Sequence, residues 1–551
     1  MSPIRPHGRM MDFPLTLTHF LERARAFFPR SEIVSRLPDG SLHRYTYADF
    51  TRRTAQLAGA LSSLRLAPGA RVATLCWNHY RHLELYFAVP CAGFVSHTLN
   101  LRLHPSELAY IARHAEDRVV FVDRSLLPLL EKFAAEVPSI QHVIVIPDDG
   151  PTPSDSGARE DYERLIANQP TTFSWPALDE RDAAALCYTS GTTGNPKGVL
   201  YSHRSTVLHT LAACMADGLG VSEHDAVMPV VPMFHANAWG LAYASVAAGS
   251  KIVLPGPRLD GRSLLELMAH EKVTVAAGVP TIWLAILALL DEHPGQWDLS
   301  SVRSMVIGGS AAPASMIDGF AKRHHLEVTH AWGMTELSPL GSVARLKREL
   351  ASRPDAERLD YRASQGYATA LVEQRHVDDA GNLLPWDGQT MGELEVRGPW
   401  VAGAYFGGDG ADRFTADGWF KTGDVVTIDA EGYLRITDRS KDVIKSGGEW
   451  ISSVSLENAL MSHPAVLEAA VFAGVHPKWD ERPLAAVVFK EGKSATKAEL
   501  QAHLEGRFAK FWLPDDFVFP AQIPRTSTGK FLKSKLRELY GELLLKAGAA
   551  S

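Results

Sequence analysis

The sequence has little of what marks secreted, disulfide-bonded or nucleic-acid-binding proteins. Its 551 residues include four cysteines, and no two of them form a Cys-x-x-Cys pair. This favours reduced thiols and a cytoplasmic location over a disulfide framework or a zinc site. There are 56 Lys and Arg against 63 Asp and Glu, a net charge of −7, whereas a general nucleic-acid binder is usually basic. The remaining composition is that of an ordinary globular protein.

Long uninterrupted hydrophobic runs are also missing. Ala226–Ser250 and Val273–Leu290 are uncharged, but prolines interrupt the first and Gly278-Val279-Pro280 divides the second. Each piece is shorter than the ~20 apolar residues that a membrane-spanning helix needs. We therefore predict no transmembrane segment, and a buried strand followed by a helix that begins at Pro280. Residues 1–12 lack an apolar core, so we expect no secretory signal. Peripheral membrane contact is left open.

Short apolar runs alternate with helical patterns through most of the chain, which is typical of βαβ units. The fold class is therefore predicted to be α/β, with a large N-terminal domain of parallel and mixed sheets over residues 1–437. After Asp424 this alternation of short apolar runs and helical patterns ends. Val425–Thr437 predicts a hairpin, a short charged run follows at 438–442, and residues 443–551 predict a small α+β domain with a helix near Lys497–Lys510.

One loop is rich in groups that bind phosphate. The sequence YTSGTTGNPKG at 188–198 follows the apolar run AAALC, which predicts a strand that leads into the loop. Its glycines let backbone amides approach an anion, and its hydroxyls and lysine donate to phosphate oxygens. The spacing is neither that of a Walker A loop nor that of GxGxxG. The candidate phosphate-binding residues are Thr189, Ser190, Gly191, Thr192, Thr193, Gly194 and Lys197.

This loop resembles the signature loop of the adenylate-forming superfamily, which contains acyl-CoA synthetases, adenylation domains and beetle luciferases. Further segments resemble motifs of that superfamily in the same order, namely His330–Glu336, Gly418–Asp424, Asp438–Asp442, Lys445–Glu457 and Pro524–Lys530. Within the superfamily, PVVPMFHANAWG and KSGGEWISSVSLENAL are most similar to medium- and long-chain fatty acyl-CoA ligases. Trp332 departs from the tyrosine of most relatives, and GGEW at 447–450 departs from their Gly-x-Arg or Gly-x-Lys.

The resemblance implies an ATP-dependent fatty acyl-CoA ligase that works in two half-reactions. A carboxylate would attack the α-phosphate of Mg²⁺-bound ATP to give acyl-AMP and pyrophosphate, and coenzyme A would then form acyl-CoA and release AMP. The resemblance makes residues 438–442 a hinge, about which the small mobile domain would rotate between the steps. A homodimer is expected because some similar synthetases form one.

Several alternatives remain open. The acid could be short-chain, aryl or methylthio-substituted, and the acceptor could be the thiol of a carrier protein. From a different class, the chain could be a non-catalytic nucleotide- or acyl-binding protein on the same scaffold.

The resemblance also implies roles for individual residues. Lys530 has the flexible stem and compact charge that suit bridging the carboxylate and the α-phosphate. The expected catalytic residues are Lys530, His235 and Glu336, with Thr189 and Glu336 as Mg²⁺ ligands. Beyond the phosphate loop, the expected ATP- or AMP-binding residues are Gly309, His330, Ala331, Trp332, Thr335, Asp424, Arg439, Lys441 and Lys445. Ala236 and Trp239 are assigned to the acyl pocket, and Gly447, Gly448 and Trp450 to the coenzyme A passage.

His235 is a divided case from the residues themselves. A lone histidine among apolar residues is also typical of a hydrogen-bonded core residue, so both roles stay open for it at this point.

Overall fold

The structure is a computed structural model that describes residues 8–147, 160–189, 195–446, 449–525 and 531–548. Within these ranges the chain forms four β-sheets with helices packed between and around them. No helix in these ranges has both the length and the apolar character needed to cross a bilayer. All four cysteines are free thiols.

The strands of the described ranges, in chain order, are β1 (Glu32–Arg36), β2 (Leu42–Thr46), β3 (Arg71–Leu75), β4 (Val95–Thr98), β5 (Val119–Asp123), β6 (His142–Ile146), β7 (Glu160–Asp161), β8 (Ala183–Tyr188), β9 (Gly198–Ser202), β10 (Ala226–Pro229), β11 (Lys251–Leu254), β12 (Val275–Gly278), β13 (Ser304–Ile307), β14 (Val328–Gly333), β15 (Leu340–Val343), β16 (Tyr367–Ala368), β17 (Glu373–Val377), β18 (Gly392–Arg397), β19 (Phe420–Ile428), β20 (Leu434–Arg439), β21 (Ile444–Ser446), β22 (Glu449–Ile451), β23 (Val466–His476), β24 (Asp480–Phe489) and β25 (Asp516–Val518).

The helical segments are α1 (Thr18–Phe27), α2 (Tyr47–Ser63), α3 (Tyr80–Cys91), α4 (Pro105–Ala115), α5 (Leu127–Glu131), α6 (Tyr162–Ala167), α7 (His203–Cys214), α8 (Ala236–Trp239), α9 (Leu241–Ala248), α10 (Gly261–Glu271), α11 (Pro280–Glu292), α12 (Ala314–His324), α13 (Asp355–Ala363), α14 (Ser453–Met461), α15 (Lys497–Leu504), α16 (Lys533–Tyr540) and α17 (Leu543–Gly548).

Two large sheets form the body of the N-terminal part. A nine-stranded sheet has the order β16-β15-β14-β13-β12-β10-β11-β1-β2, and its strands from β14 to β1 are parallel. A seven-stranded sheet has the order β7-β6-β5-β3-β4-β8-β9, with β9 antiparallel to β8. Because the central strands are parallel, the carboxyl ends of β10, β12, β13 and β14 meet at one edge of the nine-stranded sheet.

Two smaller sheets complete the fold. β17-β18-β19-β20 is antiparallel, and its β19–β20 pair is the hairpin that the sequence predicts. A sheet of order β22-β21-β24-β23 follows residues 438–442, and β25 pairs with β24. The predicted α/β fold, with a large N-terminal and a smaller C-terminal domain, is therefore confirmed.

Two local predictions had different outcomes. The strand and helix expected around Gly278-Val279-Pro280 are present as β12 and α11, and α11 begins at Pro280. The helix expected near Lys497–Lys510 is shorter, because α15 ends at Leu504. Gly506 there takes a φ of +78°, which lies outside the right-handed helical region.

Helix α3 is buried along its whole length, and its side chains contribute to the cores of both large sheets. It nevertheless carries Glu84, whose carboxylate is fully buried. Arg53 of α2 donates to both Glu84 oxygens, at 2.7 and 3.2 Å, and also pairs with Glu163 at 2.9 Å. Tyr162 donates its hydroxyl to Glu84 at 2.5 Å. Burial tends to lower the pKa of Arg53, but the carboxylates outweigh this and raise that pKa.

We predict that Arg53→Met lowers the thermal unfolding midpoint by several degrees. The substitution keeps an apolar stem but leaves the Glu84 carboxylate buried without its cation, which destabilises a fold by on the order of 3 kcal/mol. Adding Glu84→Gln should recover most of the loss, because the unpaired charge is then removed. As a control, Asp318→Ala breaks only the exposed pair with Lys322 and should leave the midpoint unchanged. Equal shifts in Arg53→Met and Asp318→Ala would contradict this account.

Candidate active site

A cavity of about 450 Å³ lies at the carboxyl edge of the nine-stranded sheet. The loops that follow β10, β12, β13 and β14 contribute to it, as do the β8–β9 hairpin and residues beyond the predicted hinge. The structure brings together most of the residues that the sequence nominates. Those that line the cavity are Thr189, Lys197, His235, Ala236, Trp239, Gly309, His330, Ala331, Trp332, Thr335, Glu336, Asp424, Arg439 and Lys441.

Other nominated residues are placed elsewhere or lie outside the described ranges. Lys445 and Trp450 face each other across the β21–β22 hairpin, with Nζ 4.9 Å from the ring centroid, and neither is among the residues that line the cavity. Arg525 and Phe531, on either side of the 526–530 segment, do line it. Those outside the described ranges are Ser190, Gly191, Thr192, Thr193, Gly194, Gly447, Gly448 and Lys530.

The phosphate loop connects two antiparallel strands, β8 and β9, so its ends are held close together. Thr189 donates its backbone N–H to the carbonyl of Lys197 at 2.9 Å, and the Thr189 hydroxyl accepts from the Lys197 N–H at 3.1 Å. This closure fixes where the loop begins and ends. The Lys197 ammonium lies 5.2 Å from the ring centroid of Tyr405, a distance at which a cation and an aromatic face attract.

Glu336 brings a buried carboxylate to the cavity. It lies in the 3₁₀ turn Thr335–Leu337 just after β14 and is only 6% exposed. The Tyr405 hydroxyl donates to its Oε1 at 2.5 Å. Among the described residues, no other hydrogen bond to this carboxylate is present. Burial and the nearby Glu336 raise the pKa of Tyr405, so the phenol remains a donor at neutral pH.

Asp424 is the second buried carboxylate, and it is 0% exposed. The indole Nε1 of Trp332 donates to its Oδ2 at 2.9 Å, and the Nε of Arg439 lies 2.7 Å from its Oδ1. Trp332 thus combines a flat ring on the cavity wall with a polar contact to Asp424. A tyrosine at this position would not present an indole N–H, so the departure noted in the sequence has a structural consequence.

The apolar end of the cavity contains an unusual backbone. Ala236, Asn237, Ala238 and Trp239 all have positive φ values, from 43° to 56°, so α8 is a left-handed turn. This conformation costs a non-glycine residue roughly 1–2 kcal/mol. The turn directs Trp239 against the backbone of Gly308, where an added Cβ would lie 3.2 Å from the indole.

The segment after β20 is tied to the C-terminal part by buried polar contacts. Asp438 accepts a hydrogen bond from the Ser453 N–H at 2.7 Å, at the start of α14. Lys533 pairs with Glu457 at 2.7 Å. Burial tends to lower the pKa of Lys533, but Glu457 and Asp438 outweigh it and raise that pKa. The ammonium therefore stays charged and holds α14 and α16 together.

A second group of potential metal ligands, Cys76, His79 and Asp123, is buried near the seven-stranded sheet. The His79 Nδ1 accepts a hydrogen bond from the His82 N–H at 3.2 Å, so in the neutral ring Nε2 carries the proton. This Nε2 faces Asp123 Oδ1 at 2.8 Å, and Asp123 Oδ2 accepts from the Trp77 N–H. With the proton on His79 Nε2, these contacts form a structural hydrogen-bond network. They do not point to a metal site.

The sequence does not predict two further residues of the site. Tyr405 and Lys533 line the cavity and contact carboxylates. Tyr405 is 69 residues from Glu336, and no local pattern signals such a contact. Lys533 stands in a basic stretch that reads as solvated surface.

Comparison with known proteins gives two family matches that cover most of the chain. Residues 21–406 match the model of the AMP-binding enzyme family, and residues 455–530 match that of the AMP-binding enzyme C-terminal domain. The first match alone spans more than half of the chain.

Similar proteins cover the chain almost completely. A long-chain-fatty-acid–CoA ligase of Thermus thermophilus is 51% identical, with 96% of each chain covered. A 3-methylmercaptopropionyl-CoA ligase of Ruegeria pomeroyi is 46% identical, covering 98% of this chain and 99% of the relative. A crystal structure of the anthranilate CoA ligase AuaEII in complex with anthranoyl-AMP superposes with a TM-score of 0.85 at 27% identity, covering 97% of this chain and 99% of that one.

We predict that Trp332→Phe weakens ATP binding about tenfold and reduces discrimination between ATP and 2′-deoxy-ATP. Phenylalanine keeps an aromatic face but removes the N–H that fixes Asp424, and a hydrogen bond to a charged group contributes about 1.5 kcal/mol. Isothermal titration calorimetry with both nucleotides measures the effect. Trp283→Phe is the matched control, because that buried indole donates to the Gly278 carbonyl and touches no carboxylate. Unchanged binding of both nucleotides by Trp332→Phe would contradict the prediction that the Trp332 N–H orients Asp424 for nucleotide binding.

Proposed function

The chain belongs to the AMP-binding enzyme family, and we propose that it joins a medium- or long-chain fatty acid to coenzyme A while converting ATP to AMP and pyrophosphate. One observation carries this proposal. A single cavity is lined by the phosphate-loop hairpin, by the Glu336 carboxylate, by the Trp332–Asp424 pair and by an apolar end at Trp239. The ligase names of the relatives support the same reaction.

In the proposed first step, a carboxylate oxygen of the acid forms a bond to the α-phosphorus, and the bond from that phosphorus to the bridging oxygen breaks. Pyrophosphate leaves with the electron pair, and acyl-AMP remains. Such a step depends on positioning and on stabilising charge. Trp332 would lie against the adenine, and Asp424 would accept the ribose hydroxyls. Lys197 would hold the β- and γ-phosphates, and Lys530 would bridge the acid and the α-phosphate.

Mg²⁺ is part of this proposal. Its preferred ligands are oxygens, and Thr189 and Glu336 offer a hydroxyl and a carboxylate on the same cavity. The Oε2 of Glu336 accepts no hydrogen bond from a described residue, because the Tyr405 hydroxyl donates to Oε1. When bound, Mg²⁺ would neutralise charge on the phosphate oxygens. The two residues therefore fit the metal.

The apolar end of the cavity supports an aliphatic acid. Ala236, Trp239, Pro280, Leu284 and Leu340 line it. Leu284 is 43% exposed although it lines the cavity, so the apolar wall continues to the protein surface. A hydrocarbon chain could therefore enter along apolar side chains while its carboxylate reaches the polar end beside His235. This is the arrangement we propose for acid binding.

For the second step, we propose that the coenzyme A sulfur attacks the acyl carbon, and that the bond from this carbon to the AMP phosphate oxygen breaks. Gly447, Gly448 and Trp450 are assigned to the coenzyme A passage only by resemblance. Trp450 and Lys445 do not line the cavity in the described orientation. The proposal therefore includes a rotation of the C-terminal part, residues 443–551, about the hinge at 438–442.

A methylthio-substituted acid is the second candidate substrate, favoured by the 46% identity to the 3-methylmercaptopropionyl-CoA ligase. The same active-site chemistry serves both acids, and only the length of the apolar end separates them. A carrier-protein thiol as acceptor and a homodimer both stay predictions of the sequence.

A panel of acids tests the proposed function. The purified chain, with ATP and Mg²⁺, is given straight-chain C2–C18 acids, aryl acids and 3-methylthiopropionate, with and without coenzyme A. We expect the highest kcat/KM with C8 or longer acids, together with coenzyme A-dependent AMP release and a thioester product detected by mass spectrometry. Glu336→Ala should be inactive with every acid. A kcat/KM for 3-methylthiopropionate tenfold above that of every fatty acid would establish the second candidate instead.

Lys530→Ala should separate the two half-reactions. Loss of one positioned cation from the adenylation transition state should slow acyl-AMP formation about 10²–10³-fold, by analogy with the removal of an oxyanion donor. Thioester formation from supplied acyl-AMP should be largely retained. The matched control is Lys535→Ala, since Lys535 is 46% exposed, pairs with Glu538 and does not line the cavity. An equal loss in both half-reactions would reject the role of Lys530.

A further inference from the structure

Tyr405 occupies a position that the family comparison and the sequence motifs leave without a role. Its side chain is 5% exposed, and it lies in the chain between β18 and β19, outside any strand. The hydroxyl donates to Glu336 Oε1 at 2.5 Å. The ring lies 5.2 Å from the Lys197 ammonium. One side chain thus contacts both the proposed metal ligand and the proposed phosphate ligand.

Three hydrogen bonds hold the Tyr405 segment against the turn that carries Glu336. Ala402 donates its N–H to the Glu336 carbonyl at 2.7 Å. Ser338 donates its hydroxyl to the Trp400 carbonyl at 2.9 Å, and the Trp400 indole donates to the Leu340 carbonyl at 3.0 Å. These three bonds fix the phenol relative to the carboxylate, so the Tyr405–Glu336 contact is a consequence of packing and not of a mobile surface chain.

The same segment also shapes the surroundings of Lys197. Gly410 has a φ of +63°, and a Cβ at this position would lie 2.9 Å from the Lys197 Nζ and 3.1 Å from the Tyr405 ring. The absence of a side chain at residue 410 therefore lets the ammonium and the ring approach each other. A cation placed over an aromatic face is attracted to it, which restricts where the flexible lysine can lie.

The hydrogen bond from Tyr405 fixes one oxygen of the Glu336 carboxylate. Because Oε1 accepts from the phenol, rotation of the carboxylate is restricted, and Oε2 is directed to a defined position. A metal ligand that is already oriented loses less conformational freedom on binding. We propose that Tyr405 is a positioning residue, whose hydroxyl orients Glu336 for the metal–nucleotide complex and whose ring orients Lys197 for the phosphates. This inference rests on the proposed function, because it assumes that the cavity binds a metal and a nucleoside triphosphate.

The two contacts predict different effects for two substitutions. Tyr405→Phe removes only the hydroxyl, so it should weaken metal binding and leave Lys197 in place. Tyr405→Leu removes the ring as well, so it should weaken metal binding and also the binding of the nucleotide at saturating metal. A role limited to packing would give no such difference between metal and nucleotide.

The experiment measures Mn²⁺ binding by electron paramagnetic resonance in the presence of α,β-methylene-ATP, which cannot transfer its adenylyl group because a methylene replaces the bridging oxygen. We expect the Mn²⁺ dissociation constant to rise about tenfold in Tyr405→Phe, while nucleotide affinity at saturating Mn²⁺ changes less than twofold. In steady-state assays the half-saturating Mg²⁺ concentration should rise by a similar factor, with kcat at saturating Mg²⁺ little changed. In Tyr405→Leu, nucleotide affinity should also fall at least fivefold.

Tyr162→Phe is the matched control. Its hydroxyl donates to the buried Glu84 at 2.5 Å, which is the same kind of bond at the same distance, but neither residue lines the cavity. This variant should lower the melting temperature and leave the Mn²⁺ dissociation constant unchanged. If Tyr162→Phe and Tyr405→Phe weaken Mn²⁺ binding equally, the effect is one of stability and the positioning role is overturned.

The remaining outcomes separate this inference from the proposed function. Wild-type protein that binds Mn²⁺ and the nucleotide with the same constants as Tyr405→Phe would overturn the positioning role alone. Wild-type protein that binds neither would overturn both proposals. Should Tyr405→Phe fail to fold, as judged by circular dichroism, Tyr405→Leu supplies the same metal comparison, and unchanged Mn²⁺ binding in that variant would equally overturn the role.

Discussion

The rest of the site depends on two buried carboxylates, those of Glu336 and Asp424. Both line the cavity at the edge of the nine-stranded sheet. A buried charge is unfavourable unless donors or cations compensate it. Each of these carboxylates has an aromatic donor, the phenol of Tyr405 or the indole of Trp332. Aromatic donors satisfy one oxygen, exclude water with their rings and carry no charge of their own. The negative charge that remains is available to attract cations into the cavity.

The positive charges around these carboxylates come from separate parts of the chain. Lys197 belongs to the β8–β9 hairpin, and Arg439 stands at the end of β20. Lys533 pairs with Glu457 inside the C-terminal part and so stabilises that part. The site therefore depends on the packing of three sheets and not on any single motif, and its cations converge only when those sheets are assembled.

The sequence predicts the parts of the site that lie next to strand ends. The phosphate loop follows β8, and Trp332 is the penultimate residue of β14, close in the chain to Glu336, so local patterns and motif spacing locate them. The contact between Tyr405 and Glu336 joins segments far apart in the chain, and it depends on hydrogen bonds such as that from Ala402, which no local pattern reports. The end of α15 differs from the prediction for another reason, because the backbone becomes extended at Glu505 and Gly506 then takes a positive φ.

The left-handed turn at Ala236–Trp239 limits how this protein can diversify. Valine, isoleucine and threonine are disfavoured at positive φ because their branched Cβ crowds the backbone. These residues would therefore strain the turn at any of the four positions. The cavity residues Pro280 and Leu284 have no such restriction, because they lie on the regular helix α11. Substitutions should therefore be tolerated more readily on that helix than in the turn.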